Sequence, residues 1–150
     1  SACEVGTYKT AAGAGSCAVC PSHTSSLIGS NELTDCKCLP GYTVASDGVA
    51  CSACTAGAFK HVVGTAACET CPANAESSSG SVLCQCSAGF TGADGWACVA
   101  CEAGTYKATA GTAACETCPA NAESSSGSAL CQCLAGFTGA VGGQCSACSD

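Results

Sequence analysis

"CEAGTYKATAGTAACETCPANAESSSGSALCQCLAGFTGAVGGQC", Cys101–Cys145, carries six cysteines spaced C-x13-C-x2-C-x12-C-x1-C-x11-C. The same spacing runs from Cys54 to Cys98, one period of 47 residues earlier. Cys3 to Cys51 repeats it with intervals of x13, x2, x15, x1 and x12, so two loops lengthen while the order of cysteines is kept. Self-similarity at such a period marks an array of small units. The modules expected are residues 1–51, 52–98 and 99–145, with 146–150 the start of a fourth or an inter-chain connection. Residues 64–93 and 111–140 differ at two of thirty positions, as recent duplication or equivalent neighbours would produce.

Nineteen cysteines in 150 residues exceed the level at which a short secreted chain is read as a disulfide scaffold. That places the chain in an oxidising, extracellular setting. Four Lys, no Arg, no Met and seven aromatics cannot build a large apolar core, and the 47% of hydrophobic residues is mostly Ala and Cys. A net charge of −7 with no basic cluster argues against nucleic acid as a partner. No run approaches the roughly 20 apolar residues of a membrane span, and the N-terminus shows neither a charged nor an apolar leader region.

Cysteine chemistry leaves three readings. Cys51, Cys54, Cys68 and Cys71 sit near zinc-ribbon spacing, yet six cysteines per module do not divide into four-ligand sites, and only two histidines exist. Thioredoxin-like redox work by C-x2-C needs a βαβ setting that the pattern lacks. Structural disulfides remain. A module of this size lies near the limit of unaided folding, and closing a 15-residue loop stabilises by about 3 kcal/mol in the chain-entropy model. No metal and no cofactor is expected. Short strands are expected around "GTYK" (Gly6–Lys9 and Gly104–Lys107), its variant "GAFK", and "LCQC" running into "AGFTG", with loops elsewhere and no trustworthy helix.

The tail "CQCSAGFTGADGWAC" (Cys84–Cys98) resembles the C-terminal half of an EGF-like module. The head "CEAGTYKATAGTAACETCP" (Cys101–Pro119) is similar to ephrin-receptor-like cysteine-rich repeats, and more loosely to the first half of a tumour-necrosis-factor-receptor repeat. The resemblance implies a small disulfide-rich fold: three tandem EGF-like modules of short strands and loops, in an elongated rod. EGF-like pairing implies Cys3–Cys20, Cys17–Cys36 and Cys38–Cys51; Cys54–Cys71, Cys68–Cys84 and Cys86–Cys98; and Cys101–Cys118, Cys115–Cys131 and Cys133–Cys145. A receptor-type pairing of first to second cysteine, as Cys54–Cys68, is the alternative. Cys148 is left over and stands in register with a first cysteine, to be used in a further module, between chains, or as a free thiol.

Only Ser52-Ala53 and Val99-Ala100 separate the modules, a reach of no more than about 10 Å, so adjacent modules are expected to touch. Tyr42, Phe90 and Phe137 are placed to pack near the junctions or in their own small cores; Tyr8, Phe59 and Tyr106 belong in cores. Trp96 has no counterpart in the other copies. The Ser-rich stretches supply candidate O-glycosylation positions Ser77, Ser78, Ser79, Ser124, Ser125 and Ser126, and "GYTV" and "GFTG" resemble an EGF-type O-glycan site at Thr43, Thr91 and Thr138. No N-x-S/T sequon exists. His23 and His61 occupy different places in their modules, and nothing in the pattern suggests catalysis, so an enzyme is not expected.

The functional expectation is a secreted structural protein, associating with itself head to tail or as part of a longer repeat chain, and forming a fibre, surface hair or matrix filament. The alternative is a ligand-binding or spacer segment of a receptor ectodomain. Recognition surfaces favour aromatic and Arg anchors, and a chain with no Arg and one Trp offers few of them.

Overall fold

In the computed structural model, which describes residues 1–48 and 50–149, each disulfide loop accompanies one two-stranded antiparallel hairpin whose return strand begins at or just after the closing cysteine. In the first repeat β1 (Thr7–Tyr8) pairs with β2 (Ala18–Val19), β3 (Thr24–Ser25) with β4 (Lys37–Cys38), and β5 (Tyr42–Val44) with β6 (Cys51–Ala53). In the second, β7 (Ala58–Phe59) pairs with β8 (Glu69–Thr70), β9 (Ala75–Glu76) with β10 (Gln85–Cys86), and β11 (Phe90–Thr91) with β12 (Val99–Ala100). The third follows suit with β13 (Thr105–Tyr106) and β14 (Glu116–Thr117), β15 (Ala122–Glu123) and β16 (Gln132–Cys133), β17 (Phe137–Thr138) and β18 (Ser146–Ala147). The helical content of the described residues is one 3-10 turn, Leu33–Asp35, inside the longest loop of the first repeat. Asp150, the last position of the 146–150 segment, lies outside the described residues.

A four-residue turn starts each hairpin. The third residue after each loop-opening cysteine has a positive φ: Gly6, Gly41, Gly57, Gly89, Gly104 and Gly136 at 79° to 86°, His23 at 61°, and Asn74 and Asn121 at 63°. Glycine enters this region without penalty, and Asn and His are among the side chains that tolerate it. The next residue donates its N–H back to the carbonyl just after the cysteine, from Thr7 to Glu4 through Phe137 to Leu134, at 3.0–3.2 Å in all nine turns. Each turn thus aims two residues, three in β5, into a strand before the chain loops back to the closing cysteine.

The disulfides follow this hairpin logic and correct the EGF-like pairing. Cys3 bonds Cys17 and Cys20 bonds Cys36, instead of Cys3–Cys20 and Cys17–Cys36. Cys54 bonds Cys68 and Cys71 bonds Cys84; Cys101 bonds Cys115 and Cys118 bonds Cys131. Cys38–Cys51, Cys86–Cys98 and Cys133–Cys145 pair fifth to sixth in both schemes. The reason is local. The two residues between second and third cysteines are the return strands β2, β8 and β14, which set the second cysteine opposite the first and leave the third to open the next hairpin. Cα–Cα separations of 5.5–5.8 Å suit unstrained bridging.

Two compact units emerge, Ser1–Thr70 with Ser78–Leu83, and Cys71–Ser77 with Cys84–Asp150. The buried apolar interior of the first is Cys3, Cys20, Cys38, Cys54 and Phe59; that of the second is Cys84, Cys86, Cys101 and Cys131. Sulfur occupies the place that aliphatic side chains take in larger domains.

Candidate functional site

The feature that organises each unit is a buried lysine. In the first unit Lys60, 1% exposed, directly follows the strand β7 and turns its Nζ onto the carbonyls of Tyr42, at 2.7 Å, and Gly64. Its backbone carbonyl accepts the N–H of Gly41 at 2.7 Å, and its own N–H reaches Ser81 O at 3.3 Å. Gly64 N–H returns to Cys38 O and Gly80 N–H to Cys54 O, at 2.9 and 2.8 Å. In the second unit Lys107, 3% exposed, repeats the arrangement, with Nζ on Cys86 O at 3.2 Å, Phe90 O at 2.7 Å and Gly111 O. Gly89 N–H donates to Lys107 O, Gly111 N–H to Cys86 O and Gly127 N–H to Cys101 O, at 2.8–2.9 Å.

An ammonium has three donors and no acceptor, so a cup of carbonyl oxygens suits it without a carboxylate. Desolvation in this setting pulls the Lys60 amine below the usual lysine value. Lys9, at the same position of the first repeat, is only half-buried; its Nζ bonds Gly13 O of its own loop. Two glycines let the backbones close in. A Cβ on Gly41 would stand 2.2 Å from Gly80 O, and one on Gly89 2.1 Å from Gly127 O, whereas at Gly136 nothing lies within 4 Å.

The sequence holds the signal for these lysines. Three of the four lysines stand six residues after a loop-opening cysteine, Lys9 after Cys3, Lys60 after Cys54 and Lys107 after Cys101. Counting them only as charge misses it.

The candidate glycan positions fall into two groups. Thr43 Oγ1 donates to Ala66 O at 3.2 Å and Thr91 Oγ1 to Ala113 O at 3.1 Å. Ser79 and Ser126 donate to the carbonyls of Cys54 and Cys101, and Ser124 to Thr105 O. Ser77 lies half-buried beside Cys71, while Ser78, Ser125 and Thr138 are exposed. Trp96 is 74% exposed. His23 stacks on Tyr42 with ring centroids 4.1 Å apart, so Tyr42 packs within its own unit. The cysteines at zinc-like spacing belong to three different disulfides, Cys38–Cys51, Cys54–Cys68 and Cys71–Cys84. Among the described residues no cluster of His, Cys, Asp or Glu is placed to hold a metal, and no helix is long and apolar enough to cross a membrane. Cys148 carries no disulfide and is exposed; its N–H donates to Gly136 O at 3.0 Å, as those of Cys54 and Cys101 do to Gly41 O and Gly89 O.

The family model described as tyrosine-protein kinase ephrin type A/B receptor-like matches three times, over residues 1–36, 41–82 and 89–133. The chain belongs to the ephrin-receptor-like family. Ephrin type-B receptor 4 of Homo sapiens is 42% identical over 59 residues, 39% of this chain and 6% of that protein. Ephrin type-B receptor 4a of Danio rerio is 41% identical over 58 residues, and ephrin type-A receptor 1 of Homo sapiens 38% over 55, covering 38% and 36% of this chain and 6% of each relative. The chain therefore spans about 6% of the length of the curated relatives it matches. An ephrin-receptor-like array closed by disulfides belongs on the extracellular or cell-surface side of a membrane. The fibre, surface-hair and matrix-filament role expected above finds no support in these matches, which fit the receptor alternative better.

Proposed function

We propose that this chain is a segment of a cell-surface receptor ectodomain, a disulfide-stapled spacer that also carries binding surface. The observation that supports this reading is the threefold family match along the chain, joined by relatives whose names are those of ephrin receptors. The physical design suits a spacer. Hairpins tied by disulfides and lysine-filled carbonyl cups hold their form with little apolar core. In this reading the exposed hydroxyls of Thr138, Ser78 and Ser125 are the candidate O-glycan sites, and the partners are receptor ligands or neighbouring receptors in preference to copies of the chain.

The test is location. An antibody raised against the folded chain should label intact cells that make the full-length protein, and brief extracellular proteolysis should remove the label. Label confined to insoluble extracellular fibres, or appearing only after permeabilisation, would overturn the reading.

A further inference from the structure

The first unit contains a groove of about 450 Å³ walled by Val5, Leu27, Leu39 and Val63, with Asp35 and Lys37 on its margin. Its apolar walls are open to solvent: Leu27 is 80% exposed, Val5 66% and Val63 53%. Most of a small protein's exposed apolar atoms are scattered; several converging on one concavity mark a contact surface.

Comparison within the chain sharpens the point. Counting from the same cysteines and lysines, the positions of Val5, Leu27, Leu39 and Val63 are taken one repeat later by Ala56, Ser78, Ser87 and Ala110. The scaffold tolerates small or polar residues at all four places. Folding therefore does not demand the larger apolar ones, and the first unit carries them at the cost of exposed apolar surface.

From this we infer that the groove docks an apolar segment of another protein with basic residues beside the apolar ones. The charge of the occupant follows from the surface. The chain bears −7, and two of its four ammoniums, Lys60 and Lys107, are buried in carbonyl cups. On the margin exposed Lys37 offsets Asp35, and Glu4, beside Val5, and Glu32, in the loop that supplies Asp35, are further exposed carboxylates that tip the surroundings to net negative. Apolar contact supplies affinity, and the acidic surroundings select a cationic rim and speed encounter. This inference rests on the receptor reading, whose binding partner it describes.

The experiment pans a phage-displayed library of random peptides on the immobilised, oxidised 150-residue chain. Selected peptides are then synthesised and titrated against wild type and the double variant Val5→Ala/Leu27→Ser, which installs residues the chain already uses one repeat later. Enriched peptides should pair two or three apolar residues with Lys or Arg, lose roughly tenfold in affinity on the variant, and weaken with added salt. No enrichment, equal binding to both chains, or acidic selected peptides would overturn the inference. So would a concentration-dependent dimer of wild type that the variant abolishes, which would make a second copy the occupant. The cell-surface labelling above is independent of panning, so either result can fail alone.

Discussion

Lys107 Nζ lies 2.7 Å from Phe90 O, and Lys60 Nζ lies 2.7 Å from Tyr42 O. In both units the ammonium belongs to one hairpin and the carbonyl to the preceding one, so a single charge bonds the two. Replacing Lys107 by Met keeps the aliphatic stem and removes the donors, so the carbonyls of Phe90 and Gly111 lose the ammonium and Cys86 O keeps only the Gly111 N–H. The expected loss is roughly 2–3 kcal/mol in urea unfolding under non-reducing conditions. Faster hydrogen exchange at the Gly89 and Gly111 amides would locate the damage at this contact.

The pH dependence of Lys60 has a definite sign. Its folded-state pKa lies below the ordinary 10.5 because burial disfavours the charged form. Between the folded value and 10.5 the unfolded chain therefore holds a proton that the folded chain has released, and stability contributed by this group rises with pH across that interval. Below it the contribution is flat. The difference in unfolding free energy between wild type and Lys60→Met, followed by denaturant titration at increasing pH, should show this rise; a difference that falls as pH increases would contradict the burial.

Gly89 and Gly136 offer a matched pair. Both have positive φ, 82° and 86°, so Ala at either place suffers the same backbone strain of about 1 kcal/mol. Only at Gly89 does the new Cβ also meet a carbonyl, Gly127 O, at 2.1 Å. Gly89→Ala should therefore destabilise by at least about 2 kcal/mol more than Gly136→Ala, the cost of forced overpacking. Thermal melts of the two variants decide it, and equal effects would argue against the close approach.

Disulfide connectivity is open to direct mapping. Cleavage after Glu116, between Cys115 and Cys118, should yield no fragment bridging Cys101 to Cys118, since each bond closes within its own hairpin. Peptides joined as Cys101–Cys118 or Cys115–Cys131 in mass spectra of non-reduced digests would restore the EGF-like scheme.

Much of the fold was legible because cysteine spacing is a hard constraint. The repeats, the sparse secondary structure and the strands at Thr7–Tyr8, Ala58–Phe59 and Thr105–Tyr106 follow from spacing and from Gly-bounded β-prone pairs. Connectivity was legible only as the alternative: first cysteine to second, as Cys54–Cys68, is what the structure has, but spacing did not choose it over the EGF-like scheme. Fifteen pairings of six cysteines satisfy the same spacing, and the strand between Cys17 and Cys20 that decides among them is only two residues long. The buried lysines escaped for a related reason: charge argues for solvent until the backbone supplies a cup of carbonyls. Turn chemistry was partly legible, since Gly reads as a turn at once, whereas the equivalent roles of His23, Asn74 and Asn121 become clear only when the cysteines are aligned by hairpin.

Because every bridge joins cysteines 12 to 16 residues apart and none straddles another, oxidation needs no threading of the chain. A growing polypeptide can seal each loop as soon as its second thiol reaches the oxidising lumen, and an error in one loop stays in that loop. Duplication or deletion of a whole loop would then change the length of the array without leaving any other bridge mispaired.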